Sequence, residues 1–259
     1  MNIKNILLTT AAATLLASAA QAKDFTGSLF LPSKGEVLSN TTVDLSRAKI
    51  KHFHGWAEKD FTAGEELTVG VTDNFSIYGS IDNAFNYPHI TNRDYNNEHN
   101  FSYEIGGKYN FNYGRWLSQL GLGYMTWQPR SWYGKHKATN RWLKYLGAEA
   151  QIGYDMCNGF VPYASFSAVS PIGYRPQGRE IDYSAKLGAH QSFDKVALDA
   201  GIRYDFETHG DNTNEWYAEA EANYFVTPKV AVGLHGDLFL AGNTWKYDRT
   251  IGAQLKVLF

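Results

Sequence analysis

The last ten residues, Thr250 to Phe259, read TIGAQLKVLF, and they restrict this chain more than any other stretch. Ile251, Ala253, Leu255, Val257 and Phe259 fall on one face of an extended strand. Gly252, Gln254 and Lys256 fall on the other, with Leu258 as the one apolar residue out of phase. Side chains alternate across a strand, so this period of two means one apolar and one polar face. The pattern runs to a terminal aromatic residue, where a chain end commonly frays. Such a strand needs partners, and the rest of the chain is expected to supply them.

The N-terminus reads as an address. Lys4 opens a positive region, Ile6 to Ala20 is a short apolar run, and Ala20-Gln21-Ala22 is a small-x-small cleavage site. This is the layout of a secretory signal peptide over residues 1–22, with a mature chain from Lys23. Lys23 to Gly35 carries Phe25, Leu29, Phe30 and Leu31 ahead of Pro32. It reads either as a periplasmic lead-in, the reading favoured here, or as a segment folded into a lumen.

Residues 36–259 hold eleven further period-two segments or their close variants. The first strand, Glu36 to Lys49, carries Val37, Thr41, Val43 and Leu45 on one face. The second, Phe61 to Val71, alternates cleanly except where Glu65 interrupts the apolar face. Others follow from Phe75, Phe101, Trp116, Trp142, Phe160, Ile181, Val196, Trp216 and Val230, and Thr250 starts the last. The seventh, Phe160 to Val169, is ambiguous in phase; Tyr163, Ser165 and Ser167 are placed inward. Links after the second, fourth, sixth, eighth and tenth strands are short, and the others are mostly longer.

Mean hydropathy is −0.38, a value typical of water-soluble chains, and beyond the leader no run approaches the ~18 apolar residues of a membrane helix. A membrane barrel escapes that test because its lipid-facing and lumen-facing residues alternate and cancel. The rival is a soluble sandwich or a barrel with its apolar side inward. Aromatic ends of the apolar faces separate the two: Trp142 and Tyr154, Trp216 and Tyr224, Trp116 and Tyr124. Eight residues of tilted strand cover about 20 Å of bilayer and twelve about 30 Å, which brackets an apolar band ~25 Å tall. The expected fold is therefore all-β: an antiparallel transmembrane β-barrel of about twelve strands with both termini periplasmic. Cys157 is the single cysteine, which excludes an internal disulfide framework. A net charge of −2 leaves no nucleic-acid footprint.

With leader, alternating strands and terminal Phe259 together, the mature chain resembles the bacterial single-chain outer-membrane β-barrel proteins. The run Gly64 to Ile77, GEELTVGVTDNFSI, resembles the hairpin of transporter-type barrels, including the group named for phenol-degradation operons. The resemblance implies the bacterial outer membrane as location and a passage role. It implies outer-membrane lipid and the barrel assembly machinery as partners, with Ile251, Leu255, Val257 and Phe259 as assembly signal. It supplies no catalytic residues and no cofactor.

The polar faces carry the functional reading. Glu104, Glu149, Asp182, Asp199, Asp205, Glu219, Glu221 and Asp237 oppose only Lys108, Lys186, Arg203 and Lys256, an acidic surplus inside a barrel. Lys186 and Arg203 are expected to neutralise Asp182 or Asp199 along their own strands, leaving Glu219 and Glu221 without a base on theirs. His235-x-Asp237 is spaced to hydrogen-bond within one strand, and His190 sits beside a short turn. Barrel enzymes use Ser with His or Asp with His, but no companion nucleophile is readable here, so no enzyme is expected. His52, His54, His89, His99, Asp94, Asn96 and Glu98 fall in long loops without the spacing of a metal site. The expected function is a narrow passive channel for small cationic or neutral solutes. A plugged structural or interaction barrel is the alternative, and a barrel enzyme acting on lipid or peptide comes third.

Overall fold

The computed structural model describes residues 24–50, 56–86, 89–90, 98–130, 132–133, 136–137, 142–172, 181–208 and 213–259. Twelve long strands follow one another: β1 (Val37–Ile50), β2 (Trp56–Gly70), β3 (Phe75–Asn86), β4 (Glu98–Asn110), β5 (Trp116–Arg130) and β6 (Leu143–Tyr154). The second half holds β7 (Phe160–Pro171), β8 (Ile181–Ser192), β9 (Val196–Thr208), β10 (Asn214–Thr227), β11 (Val230–Gly242) and β12 (Trp245–Leu258). Each pairs antiparallel with its neighbours in the chain, and β12 returns to β1, so the sheet closes on itself. No helix occurs among the described residues.

Closure is made by the stretch that opened the sequence reading. Leu255 lies opposite Thr41, Ala253 opposite Val43 and Ile251 opposite Leu45. At the end of the seam the Phe259 N–H donates to the Val37 carbonyl at 2.8 Å, and the Val37 N–H donates to the Phe259 carbonyl at 3.4 Å. Closure removes the unpaired strand edges that lipid cannot hydrate.

Short links at residues 71–74, 111–115, 155–159, 193–195 and 228–229 lie at the same end as residues 24–36 and Phe259. At the far end the strands run longer than the alternation suggested. β2 begins at Trp56, β5 continues to Arg130, and β11 and β12 are joined by Asn243 and Thr244 alone. Backbone pairing continues there past the apolar belt, into a zone where side-chain alternation carries no signal. The leader, most of the loops between β3 and β4 and between β5 and β6, and His52, His54, Asp94 and Asn96 lie outside the described residues.

The outward face is apolar and exposed: Leu187 is 70% accessible, Leu122 and Ile251 63%, Leu234 62% and Ile105 61%. A contiguous belt of this kind has no place in water. Aromatic side chains border it. Trp116 meets Tyr154 with ring centroids 5.0 Å apart near the turn end. Toward the other end Trp142 meets Tyr103 at 5.5 Å and Tyr204 meets Trp216 at 4.5 Å. Strands of 12–15 residues, at ~3.3 Å per residue and ~40° of tilt, reach about 30 Å or more along the axis, enough for the hydrocarbon core. Glu65 does face outward, where Ser39 Oγ donates to it at 2.6 Å and the Thr41 hydroxyl donates to its other oxygen. Val257 keeps the outward parity of Ile251, in register with Ser39 and Val230, but is covered there and 3% accessible.

Replacing Ile251 and Leu234 together with Asp should prevent closure in lipid. A mid-membrane acid costs less than the ~2–4 kcal/mol of a base, but two on the adjacent strands β11 and β12 add. Gel mobility with and without boiling reads the result. The compact unboiled band is expected to be lost, whereas Ile251→Val with Leu234→Val keeps it.

Candidate functional site

The polar positions converge on the lumen by register. Lys186 of β8 lies opposite Arg203 of β9, Gly201 of β9 opposite Glu219 of β10, and Glu219 opposite Asp237 of β11. Lys186 Nζ therefore reaches Glu219 at 2.9 Å and Asp199 at 3.5 Å. The Arg203 guanidinium binds Glu219 and reaches Asp205 at 2.8 Å and Asp237 at 3.7 Å. Lys256 of β12 holds Glu221 at 2.7 Å. This corrects the expectation that Lys186 and Arg203 pair with Asp182 or Asp199 along their own strands, although Arg203 does hold Asp205 of β9. Cross-strand neighbours stand nearer than residues four apart on one extended chain, so Glu219 and Glu221 are among the best-paired acids. Asp182 sits apart, beside Glu207 toward the far end.

The inward phase given to Tyr163, Ser165 and Ser167 is the one observed, and the Tyr163 hydroxyl donates to Asp199 at 2.6 Å. On the opposite wall Tyr78 donates to Glu104, and the Lys108 ammonium lies 5.0 Å from the Tyr78 ring centre. Glu104, Glu149 and Lys108 line one small cavity there, of ≈ 140 Å³.

His235 does not bond Asp237. Its Nε2 meets Asp44 Oδ1 at 2.6 Å, two strands away. The bond passes over Gly252 of β12, which lies between His235 and Asp44 in register. A methyl group at Gly252 would collide with both partners. Glycine in the last strand is thus an opening for a side chain to cross.

Residues 24–35 lie inside the barrel, not ahead of it. The segment crosses the turn end of the lumen, and every second strand of one half holds it. Asp24 Oδ2 meets His190 Nε2 of β8 at 2.6 Å, and Gln151 of β6 donates to Ser28 Oγ at 2.7 Å. Asn110 of β4 donates to the Leu29 carbonyl at 3.2 Å, and the Gly35 N–H to the Gly70 carbonyl of β2 at 2.8 Å. Lys256, on the other side, donates to the Thr26 carbonyl at 3.3 Å. Phe25, 1% accessible, packs with Ala197, Phe225, Ala231 and Leu258 into a buried apolar cluster, its ring centre 5.5 Å from that of Phe225. The favoured lead-in reading is thereby replaced by the lumen alternative, because these apolar side chains find cover only inside.

His190 was placed beside a turn; it is the anchor of this segment. Its Nδ1 faces Asp199 at 3.7 Å while Nε2 holds Asp24. Burial works to raise the Asp24 carboxyl. The His190 hydrogen bond and charge, with two bonds from Thr26, outweigh it and hold Asp24 well below the ordinary carboxylate range. Asp24 and Asp44 escaped the sequence reading, although the inward parity of Asp44 was readable from β1. The structure adds further inward acids, Glu66, Asp82, Glu215 and Asp248, through the same registers.

Among the described residues, three spaces in the lumen bear on its use. One, ≈ 360 Å³, lies among Asp44, Arg203, Glu219, His235 and Asp237. A second, ≈ 200 Å³, runs between the N-terminal segment and the wall and shares Lys186, Asp199 and Glu221 with the first. It shares Lys108 with the third, the Glu104–Glu149 cavity.

No family model matches the chain, and no curated protein does. The likeness of the Gly64–Ile77 hairpin to the barrels named for phenol-degradation operons therefore rests on that hairpin alone. Solved structures do match. An outer membrane channel from Pseudomonas putida F1 is 13% identical, covering 93% of this chain and all of that one, with a TM-score of 0.64. The transport unit of the autotransporter AIDA-I from Escherichia coli is 12% identical over 98% of this chain and 97% of that one, at 0.55. The NanC porin is 8% identical over 83% and 98%, at 0.53. The fold is that of bacterial outer-membrane β-barrels.

Phe25→Ala should loosen the segment, since such truncations in a packed core cost about 3–5 kcal/mol. Hydrogen exchange of residues 24–35 is expected to accelerate while the strands stay protected. The Asp24 anchor has the opposite sign to a base. Its lowered carboxyl stabilises above the ordinary carboxylate range and loses that contribution as pH falls through the lowered value. On the acid side, protection of residues 24–35 in the wild type should thus fall only in strong acid, and Asp24→Asn should lower it already at neutral pH.

Proposed function

We propose that this protein is a narrow passive channel of the bacterial outer membrane that passes small solutes beside its N-terminal segment and prefers cations. The observation that carries the reading is the set of spaces in the lumen lined by charged side chains, one of which lies against that segment and shares lining residues with the other two. Each is larger than the roughly 30 Å³ a water molecule takes in the liquid. Their walls hold more carboxylates than bases. Lys186, Arg203 and Lys256 are consumed around Glu219 and Glu221, so the surplus resides elsewhere, on Glu66, Asp82, Glu104 and Glu149, where Lys108 is the base lining the cavity of the last two. Fixed acids in a low-dielectric wall raise the local concentration of cations and repel anions. The turn end faces the periplasm in this reading, and outer-membrane lipid and the assembly machinery are its partners.

A plugged barrel is favoured by a separate observation, the buried Phe25 cluster at the turn end. Conductance separates the two. The proposal assigns no catalysis: His190 and His235 each face carboxylates, and among the described residues no hydroxyl nucleophile bonds either one.

Single-channel recording of the refolded protein in a salt gradient is expected to give a small conductance with a cation-signed reversal potential. Glu104→Gln with Glu149→Gln should move that potential toward zero, because among the described residues neither acid is held by a base in an ion pair that the change would break. A barrel that never conducts, even with residues 24–35 deleted, supports the plugged reading. Anion preference would overturn the charge argument.

Orientation is read separately. Epitope tags inserted near Asn96 and Lys137 should bind antibody on intact cells. Labelling only after the outer membrane is permeabilised would reverse the topology.

A further inference from the structure

One part of the outward face is neither apolar nor neutral. Arg47 of β1 lies opposite Arg249 of β12 on one side and Lys59 of β2 on the other, so three cations stand abreast on three adjacent strands. Lys49, two residues on, shares their face. Arg47, Lys59 and Arg249 are all exposed. Directly below them in the same registers lie Ile251, Leu45 and Phe61, the rim of the apolar belt. The row therefore stands where hydrocarbon gives way to headgroups, at the end away from the short turns.

Like charges directly opposite one another weaken a sheet. The nearest acids do not relieve them, since Asp60 and Asp248 occupy the lumen side of the same strands. Among the described residues no ion pair involves Arg47, Lys59 or Arg249. Arg47 is instead steadied over the Tyr247 ring, 5.8 Å from its centre. Three unneutralised cations spaced ~4.8 Å apart across strands suit a polyanionic headgroup, and arginine suits phosphate through its planar pair of donors.

We propose that Arg47, Lys59 and Arg249, with Lys49 beside them, bind the phosphate groups of lipid A, the phosphorylated glycolipid of the outer leaflet. The acyl chains lie against Leu45, Ile251 and Phe61 below. The site rests on the orientation given above, in which this end meets the outer leaflet, but on no property of the lumen.

Binding is measured with the full refolded barrel in a zwitterionic detergent. The probes are bisphosphorylated lipid A, dephosphorylated lipid A, phosphatidylglycerol and inorganic phosphate. Bisphosphorylated lipid A should bind saturably, and Arg47→Gln with Arg249→Gln should weaken it about tenfold or more, the scale of one lost charge-assisted contact. Dephosphorylated lipid A should bind the wild type no better than the bisphosphorylated lipid binds the variant. Lys59→Gln alone gives a smaller loss in the same direction and serves if the double variant does not show the compact band on gels. Equal binding of the dephosphorylated lipid, or unchanged binding by the variants, overturns the site. Phosphatidylglycerol or inorganic phosphate binding as tightly as lipid A overturns the lipid assignment. The assay in detergent does not depend on membrane sidedness, so a reversed tag result would count against the orientation and leave the binding result separate.

Discussion

Everything in this structure depends on one hydrogen-bonded seam, that between β12 and β1. An open sheet would present two rows of bare N–H and C=O groups to hydrocarbon, each costing several kcal/mol. Pairing the last strand with the first disposes of both rows at once. Closure also creates an inside. Only then do alternate residues of all strands share one enclosed volume, where Glu219 and Asp237 can find Arg203. The terminal residue takes part directly, through the exchange of backbone bonds between Phe259 and Val37.

The enclosed volume is filled unevenly. At the turn end the wall offers small and apolar residues, Ala197, Ala231 and Leu258, and Phe25 seats among them. Farther along, the wall is charged, and space remains beside Asp44, His235 and Glu219. The N-terminal segment is held by single polar contacts from several strands. It narrows one end of the lumen and leaves space farther along.

Much of this was legible before the fold was known, and particular residues show where legibility stopped. The inward parity of Lys186, Arg203, Glu219 and Glu221 followed from alternation alone. Their partners did not, because a partner is chosen by register between strands, and register is set by closure and turn length. Hence Lys186 binds across strands, and Arg203 divides between Glu219 and Asp237 on other strands and Asp205 on its own. His235 was visible as a lumen residue, while Asp44 became its partner only because Gly252 leaves the way clear. Nor did the row of Arg47, Lys59 and Arg249 exist in the sequence, where the three are far apart.

Alternation at period two, the aromatic ends of the apolar faces and the terminal strand determined by themselves that this chain makes an antiparallel membrane barrel of about twelve strands. These are local properties: a residue's face in a strand depends only on its parity. The tertiary structure alone decided which acids are neutralised, where the N-terminal segment lies and which bases meet on the outer face. Those depend on distances between residues remote in sequence, such as the 2.6 Å from Asp24 to His190. No count along the chain contains such a distance until the sheet has closed.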